Sequence, residues 1–422
     1  MRLAIKTFTV FMCLMWLFLA LATDDLRKSE LARFQEVREA IRKDGVTLTG
    51  FYHISAWRPK WKDVVKDQLY IMAGKRSALG DFHSASASLN APPDSDRGFT
   101  PSHWASILDV LDHLQINIAS PDPSTYTRVK SFIFQEMSGS FTEEQLKKLR
   151  FSRNETLLRG TFANSGPEKR AAYMARGNLS EGESSTLSRL KDYCEAQRAR
   201  HKKTLVFYIH DKGACCYPNL QRTKPDSVSA AVASWRDAMH ASILEFPSVC
   251  LRALLGGYTT CGYGSQGGKA HFSGNFWWAD CGHMAALPAI STYFDAWRAE
   301  FFILRTSRNL QNRLDIMHRC AYEVHHCGGN HYAEPCKRAT YYHRLLSLVN
   351  QSDLPPLTSS LSDTEYAGRR KDKRVDILKG VDLSRKSSSW SPSSPVLTRE
   401  CRQLYEATQS YMSSAVWSSP LV

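Results

Sequence analysis

The chain has 422 residues, of which 43% are hydrophobic, 11% aromatic and 23% charged, a composition that excludes a fibrous or wholly disordered protein. Its formal net charge of +14 suits anionic partners such as nucleotide phosphates, acidic glycans or membrane headgroups. No zinc-finger, RNA-recognition or helix-turn-helix signature supports nucleic acid as the partner, so we expect none.

The first 23 residues predict a targeting segment. Arg2 and Lys6 precede an uncharged apolar run from Phe8 to Ala22, which is short for a membrane span. The small residues Ala20 and Ala22 also fit a cleavage site, so both a cleaved signal peptide and a short signal anchor remain open. Either one directs the rest of the chain to the secretory lumen. The expected location is the Golgi or endoplasmic reticulum, as a type II membrane protein anchored at its N-terminus, or outside the cell.

Glycosylation triplets and cysteines agree with a lumenal location. Three asparagines begin N-glycosylation triplets: Asn154, Asn178 and Asn350. Eleven cysteines are present, and setting aside Cys13 in the apolar segment leaves an even number, which is compatible with disulfides. Their pairing does not follow from their spacing.

The elements that follow predict an α/β fold. After an amphipathic stem helix over 24–45, strands and helices alternate through a domain predicted over 46–350, which indicates a mostly parallel sheet flanked by helices. The predicted strands are 46–55, 81–90, 115–120 and 204–213; the predicted helices are 61–74, 102–114, 183–203, 227–246 and 292–304. Residues 121–182 are predicted as a surface insertion, and the Ser/Pro-rich residues 351–422 as a disordered tail.

The strand predicted at 204–213 ends in three polar residues, His210, Asp211 and Lys212. Because ligands of open α/β sheets bind beyond the carboxyl ends of the strands, Asp211 is a candidate metal ligand and Lys212 a candidate phosphate contact. In the next helix, the planar guanidinium of Arg236 matches the oxygens of a diphosphate. A solvated strand end and a surface arginine are the alternatives.

The segment HFSGNFWWADCG, residues 271–282, places three aromatic residues after a Gly-Asn pair. Gly274 permits close approach of the backbone to a ligand, and the amide of Asn275 both donates and accepts hydrogen bonds. Trp277 and Trp278 point to opposite faces of a strand, so we expect one in the core and the other against a sugar or nucleobase. A purely structural, aromatic-rich strand is the alternative.

Two carboxylates are candidate general bases. Glu300 stands on an otherwise apolar helical stretch, and Asp280 follows the aromatic segment. An ion pair with Arg298 is the alternative for Glu300. The histidines and cysteines of 318–336 lack the ligand spacing of common zinc modules, so we expect disulfides there rather than zinc.

The segments YIHDKG, SWRDAM, SGNFWWA and AEFF, in this order, resemble a group of glycosyltransferase-like proteins that is itself similar to GT-A nucleotide-sugar transferases. FYHI near the start is similar to the opening strand of that group, and ESSTLSRL resembles one of its helices at Glu183, Thr186 and Leu187. The resemblance covers about residues 46–305 and is strongest over 204–302. It implies a GT-A-like Rossmannoid sheet, with residues 210–212 in the place of the Asp-x-Asp motif.

The resemblance also implies a function. The chain would transfer a sugar from a UDP- or GDP-sugar donor to a glycan or glycoprotein acceptor. The donor diphosphate would lie near His210, Asp211, Lys212 and Arg236, and the sugar or acceptor near Gly274, Asn275, Trp277 and Trp278. Such transferases usually carry two carboxylates where this chain has only Asp211, which puts a Mn²⁺ or Mg²⁺ ion in doubt. The same departure favours the alternative, a secreted carbohydrate-binding protein on an inactive transferase fold. A disulfide-linked or metal-binding protein centred on 318–336 is a third possibility.

Overall fold

The computed structural model of the chain describes residues 25–56, 60–75, 105–120, 123–154, 181–211, 225–266, 269–287, 290, 299–300, 302–304, 321–324, 336 and 338–351. Several predictions fall outside these residues. They are the targeting segment, the strand at 81–90, Lys212, Asn178 and the tail from residue 352 onward.

A seven-stranded, mostly parallel sheet forms the centre of the described fold, as the sequence predicts. The strands are β1 (Thr47–Ser55), β2 (His113–Ala119), β3 (Leu149–Asn154), β4 (Thr204–His210), β5 (Thr260–Gly262), β6 (Ser265–Gln266), β7 (Lys269–Phe272), β8 (Trp277–Asp280) and β9 (Ala321–Glu323). Seven of them pair in the order β3-β2-β1-β4-β8-β5-β9, while β6 and β7 form a separate pair. Within the large sheet only β8 runs antiparallel to its neighbours.

Helices flank both faces of this sheet. They are α1 (25–43), α2 (Trp61–Met72), α3 (Ile107–Val110), α4 (Pro123–Ser138), α5 (Glu143–Lys147), α6 (Glu181–Ala199), α7 (Pro225–His240), α8 (Pro247–Leu255), α9 (Cys281–Ala286) and α10 (Arg338–Asn350). Side chains of α6, α9 and the 3₁₀ turn Phe302–Leu304 pack on one face, and those of α1, α2, α4, α7, α8 and α10 on the other. The structure is therefore a mixed α/β fold of three layers.

The alternation of side chains along β4 explains why both faces are covered. Phe207 and Ile209 belong to the larger apolar cluster, whereas Val206 and Tyr208 belong to the smaller one on the opposite face. Every residue of β4 is buried. A strand that buries both faces needs helices on both sides, which is the usual arrangement of a parallel sheet.

Two local predictions need correction. Residues 149–154 lie within the predicted surface insertion, yet they form β3, which pairs in parallel with β2 at an edge of the sheet. The sequence of β3 is too polar to be recognised as a strand from its pattern, because an edge strand with a solvated face needs few apolar residues. Of the helix predicted over 102–114, the described residues from 105 onward contain only the single turn Ile107–Val110, because the chain enters β2 at His113.

The predicted amphipathic stem helix is present as α1, and its apolar side packs into the larger cluster through Leu26, Phe34, Val37 and Ile41. Leu31 of the predicted stripe is exposed, and Glu30 is buried in its place. Ser248, near the start of α8, donates its backbone N–H to Glu30 Oε1 at 3.0 Å and its hydroxyl to Oε2. Burial raises the pKa of Glu30 to about 8, and Ser248 only partly offsets that rise.

Two disulfides connect helices to the sheet region. Cys194 of α6 is bonded to Cys281 at the start of α9, and Cys250 of α8 is bonded to Cys261 of β5. Cys336 is disulfide-bonded as well, in agreement with the prediction for 318–336. Oxidised, buried cysteines are typical of chains that fold in an oxidising compartment.

Candidate functional site

The sheet order creates a topological switch point between β1 and β4. From β1 the chain moves outward through β2 and β3, and then returns to place β4 on the other side of β1. In open α/β sheets the crevice at such a reversal, beyond the carboxyl ends of the strands, is where ligands bind. Here polar side chains lie at that point. We refer to His53, Ser55, Glu183, His210, Asp211 and Asn275 as the switch-point cluster.

Asp211 joins the ends of the two central strands. Its backbone N–H donates to the carbonyl of His53 at 3.2 Å, and its Oδ2 accepts from the backbone N–H of Ser55 at 3.0 Å. The residue is fully buried. Its carboxylate therefore holds the carboxyl end of β1 against that of β4.

His210 connects β4 to the Gly-Asn turn. Its Nε2 lies 2.8 Å from the carbonyl oxygen of Gly274. Asn275 donates its backbone N–H to the carbonyl of Phe272 at 3.0 Å, and the φ of Gly274 is +80°. This is the geometry of a type II turn, which places glycine at its third position. The turn brings the segment before β8 against the end of β4.

Gly274 is packed against α7 rather than opened toward a ligand. A Cβ at this position would overlap Met239 Sδ and come within 3.3 Å of the Trp235 ring. The sequence predicts that the backbone at Gly274 comes close to a ligand. In the structure this backbone instead lies close to Trp235 and Met239 of α7. The segments SWRDAM and SGNFWW are therefore parts of one packing unit.

Substituting Gly274 with alanine is expected to lower the free energy of unfolding by about 2 kcal/mol, because the new Cβ overpacks Met239 and the backbone keeps a positive φ. Urea denaturation measures the loss. Gly139→Ala is the matched control, since no atom lies within 4 Å of a Cβ there. Equal effects of the two substitutions would contradict this account of Gly274.

Glu183, in the first turn of α6, receives hydrogen bonds from two other elements. Its Oε2 accepts from Asn275 Nδ2 at 3.1 Å and from the Tyr208 hydroxyl at 3.5 Å. Its Oε1 lies 3.4 Å from His210 Nδ1. Asn275 also accepts from Trp277 Nε1 at 2.8 Å, and its backbone has a φ of +60°. Non-glycine residues with positive φ are uncommon and cluster at functional sites.

His53 extends the cluster toward β1. Its Nδ1 lies 3.0 Å from Thr186 Oγ1 on α6, and its Nε2 lies 3.1 Å from Ser55 Oγ. The histidine is fully buried. His53 thus connects the sheet to α6, and His210 connects it to the Gly-Asn turn.

A second polar network lies on the opposite face of the sheet. Gln68 Nε2 donates to the carbonyl of His210 at 2.8 Å and lies 2.9 Å from His240 Nε2. The Tyr52 hydroxyl donates to Gln68. Burial raises the pKa of Tyr52, the charge of Asp211 adds to the rise, and Arg236 opposes it. Arg236, on α7, is thus within electrostatic reach of the end of β4.

Asp280 lies away from this cluster. In the β4–β8 pairing it stands opposite Leu205, five residues before His210, which is roughly 16 Å along the strand. Its Oδ1 accepts from the backbone N–H groups of Gly282 and His283 and caps α9. Asp280 is an N-cap residue in this structure, and the sequence offered no signal to separate that role from a catalytic one.

Trp277 and Trp278 are both fully buried. Trp277 stacks on Tyr208 in the smaller apolar cluster, and Trp278 packs on Phe207 in the larger one. They take opposite faces, as predicted, but neither ring is exposed to stack on a sugar or base. The reason is that β8 lies between β4 and β5, with helices over both of its faces.

The remaining predicted residues lie at the margins of the described structure. Glu300 is half-buried and precedes the turn Phe302–Leu304. His283 of α9 is held against that turn, since its Nε2 lies 2.7 Å from the carbonyl of Ile303, and burial lowers the pKa of His283 to about 4. Of the predicted glycosylation sites, Asn350 is exposed at the end of α10, and Asn154 ends β3.

The described residues do not fit a divalent-metal site. They contain no group of three or more His, Cys, Asp or Glu side chains arranged to hold a metal ion. Asp211, the predicted ligand, uses Oδ2 to accept a backbone hydrogen bond. Among the described residues, no single helix has the length and composition of a membrane span. One pair of helices, bent by 55° where they meet, has that length and composition only when taken together: Ala231–Glu245 and Pro247–Leu255.

Glu183, His53 and Ser55 were not among the predicted site residues. Glu183 lies in ESSTLSRL and His53 in FYHI, two segments that resemble the transferase-like group. This resemblance was the signal that could have identified both as site residues. Gln68 and His240 carried none, because a polar residue on an amphipathic helix gives no sign of being buried.

A family model described as a domain of unknown function, DUF8361, matches residues 135–346, half of the chain. That range includes every member of the switch-point cluster except His53 and Ser55. Comparisons with curated proteins and with solved structures found no match.

Proposed function

The chain belongs to the DUF8361 family. We propose that it is a glycosyltransferase of the secretory pathway. It would use a UDP- or GDP-sugar as donor and a glycan or glycoprotein as acceptor. One observation carries the proposal: buried polar and charged side chains gather at the topological switch point of the sheet. Asp211 follows β4, where the resemblance to GT-A transferases predicts a carboxylate, and the Gly-Asn turn contacts the preceding residue, His210.

The finer fold assignment, a GT-A-like sheet, is part of this proposal. Four parallel strands in the order β3-β2-β1-β4 support it, because the nucleotide-binding doubly wound sheet has its first four strands in this order. The antiparallel β8, which follows the Gly-Asn turn, adds support, since it lies next to β4 where the resemblance expects the later strand.

In the proposed reaction an acceptor hydroxyl attacks the anomeric carbon of the donor, and the bond to the diphosphate breaks with its electron pair on the diphosphate. Stabilising that leaving charge is the main task of such a site. Lys212 and Arg236 are the proposed cations, and Arg236, on α7, lies within electrostatic reach of Tyr52 in β1. Glu300 stays the predicted base for the acceptor proton. Asp280 is not included, because it caps α9 at the far end of β8.

The lumenal location is likewise proposed. The two disulfides between described residues support it, because cytosolic reductants keep most thiols reduced. The glycosylation triplet at the exposed Asn350 is consistent with it. Treatment of the secreted or membrane-extracted protein with peptide N-glycosidase is expected to reduce its apparent mass.

We expect a UDP- or GDP-sugar to raise the melting temperature of the purified lumenal chain by several degrees. A donor at 100 times its Kd stabilises the folded state by about 2.7 kcal/mol. Lys212→Ala is expected to weaken this effect, since it removes a diphosphate contact. Differential scanning fluorimetry with a panel of nucleotide sugars, with and without Mn²⁺, measures the shift.

Lys202→Ala is the matched control, because Lys202 is exposed and lies just before the first residue of β4, whereas Lys212 follows its last residue. It is expected to retain the wild-type shift. If no nucleotide sugar stabilises or is turned over by the wild-type chain, the transferase proposal fails. Loss of the shift in both lysine variants would indicate non-specific charge attraction instead.

A second function is favoured by one observation, the single carboxylate in the segment His210–Lys212. A chain that has lost the second carboxylate could retain a glycan-binding surface without turnover. Binding to a glycan array, with no binding of any nucleotide sugar, would support this carbohydrate-binding protein over the enzyme.

A further inference from the structure

Glu183 and His210 face each other inside the switch-point cluster. The Nε2 of His210 carries a hydrogen, because its partner at 2.8 Å is the carbonyl oxygen of Gly274, which can only accept. The other ring nitrogen, Nδ1, lies 3.4 Å from Oε1 of Glu183. Without a proton between Nδ1 and Oε1, two lone pairs would oppose each other in a nearly dry environment.

We infer that Glu183 and His210 share one proton as a carboxylate–imidazolium pair, and that Glu183 is the carboxylate with which the switch-point cluster binds a hydroxyl group of its ligand. His210 is then a positioning residue, which acts through Glu183. The contact with a ligand hydroxyl rests on the proposed function, whereas the shared proton does not.

Besides His210, two side chains and the start of a helix surround the carboxylate of Glu183. Its Oε2 accepts from the side chains of Asn275 and Tyr208. It also lies in the first turn of α6, where the helix dipole stabilises a negative charge.

The other titratable groups near the pair have polar contacts of their own. His53 contacts Thr186 and Ser55, and Asp211 accepts from the backbone N–H of Ser55. On the opposite face His240 contacts Gln68. Tyr208 donates to Glu183 itself and thereby adds to the stabilisation of the carboxylate.

Exposure indicates which member of the pair reaches the ligand. The side chain of Glu183 is 12% exposed and that of His210 only 3%. An ionised carboxylate has about four acceptor positions, of which Asn275, Tyr208 and His210 use three. The remaining position suits a hydroxyl donor, and a nucleotide sugar offers such groups on both its ribose and its sugar.

Nitrogen-15 NMR of histidine-labelled, ligand-free protein tests the shared proton directly. We expect His210 to carry hydrogens on both ring nitrogens at pH 7, with its signal assigned by its loss in His210→Gln. In Glu183→Gln the second proton should dissociate about 1 to 3 pH units lower than in the wild type. A bare Nδ1 in the wild type at pH 7 overturns the pair, whatever the stability of the variants.

Asp192→Asn is the matched control for this experiment, because Asp192 is an exposed carboxylate on the same helix. It is expected to leave the His210 titration unchanged. A shift in Asp192→Asn as large as that in Glu183→Gln would show that the overall charge of α6, and not the contact with Glu183, sets the protonation of His210.

Calorimetric titration tests the ligand contact. We expect Glu183→Gln to weaken binding of a UDP- or GDP-sugar by about tenfold or more, while Asp192→Asn binds as the wild type does. A loss seen equally with UDP or GDP alone assigns the hydroxyl to the ribose, and a loss restricted to the sugar nucleotide assigns it to the sugar. Unchanged binding by Glu183→Gln overturns the contact alone. Binding of no donor by the wild type overturns both the contact and the proposed function, and leaves the NMR result to decide the shared proton.

Discussion

Replacing Cys194 and Cys281 together with alanine is expected to lower the free energy of unfolding by about 4.5 kcal/mol. Their disulfide closes a loop with a sequence separation of 87, and the entropy that a cross-link removes from the unfolded chain increases with loop length. Alanine avoids burying a hydroxyl, since both cysteines are almost fully buried. Guanidinium denaturation of wild type and variant under non-reducing conditions measures the difference.

The second disulfide provides the matched comparison. Cys250 and Cys261 close a loop with a separation of only 11, so the double alanine variant is expected to lose about 3 kcal/mol. The difference between the two variants isolates the effect of loop length. If the shorter loop proves as important as the longer one, strain or packing at the bridge, rather than the unfolded chain, governs the stabilisation.

Glu30→Gln is expected to raise the free energy of unfolding by about 3 kcal/mol at pH 7. In the folded state the pKa of Glu30 is about 8, against 4.5 for an ordinary glutamate. Between these values the folded protein keeps a proton that the unfolded chain has released, so wild-type stability falls as the pH rises from 4.5 to 8. Glutamine is always neutral and still accepts the backbone N–H of Ser248.

The pH profile of this difference identifies its cause. The gain from Glu30→Gln should shrink as the pH falls toward 4.5 and vanish below it, where wild-type Glu30 is protonated in both states. Glu36→Gln is the control, since Glu36 lies on the same helix, is 62% exposed and pairs with Arg33 in a surface salt bridge. A gain that is constant with pH would show that Glu30 is already uncharged for another reason, or that packing dominates.

His283 is expected to act in the opposite direction. The pKa of His283 is about 4 in the folded protein and 6.5 for an ordinary histidine. Between these values the unfolded chain binds a proton that the folded protein does not, so the free energy of unfolding falls as the pH decreases from 6.5 to 4. The wild-type profile is a sum of these opposing trends. Comparing Glu30→Gln with the wild type at each pH removes the contribution of His283, which both proteins share.

The sequence predicted the central strands well because their residues are apolar on both faces. TLVFYIH, the whole of β4, is buried and was predicted within one strand at 204–213. β3 was missed for the converse reason: LRFSRN has few apolar residues, and only its pairing with β2 identifies it as a strand. Pairing of this kind depends on a partner far along the chain, which local patterns do not contain.

The candidate site was predicted in part. The hydrogen bond between His210 and Gly274 joins YIHDKG and SGNFWWA, two of the segments on which the resemblance rests. The predicted roles of Asp280 and of the two tryptophans stay predictions, but Asp280 caps α9 and both indole rings are buried. A carboxylate after a strand caps a helix as readily as it binds a ligand, and burial of an indole depends on what covers the sheet.

The amino-acid sequence by itself determined the class of this protein: an α/β chain with a polar segment at the end of its main strand. Those properties follow from composition and from periodicities of a few residues, which local sequence contains. Only the tertiary structure decided that Glu183 faces His210, that Glu30 is buried against Ser248 and that Gly274 packs on Met239. Each of these contacts joins residues 27 or more positions apart, and such contacts arise when the sheet and its covering helices pack together.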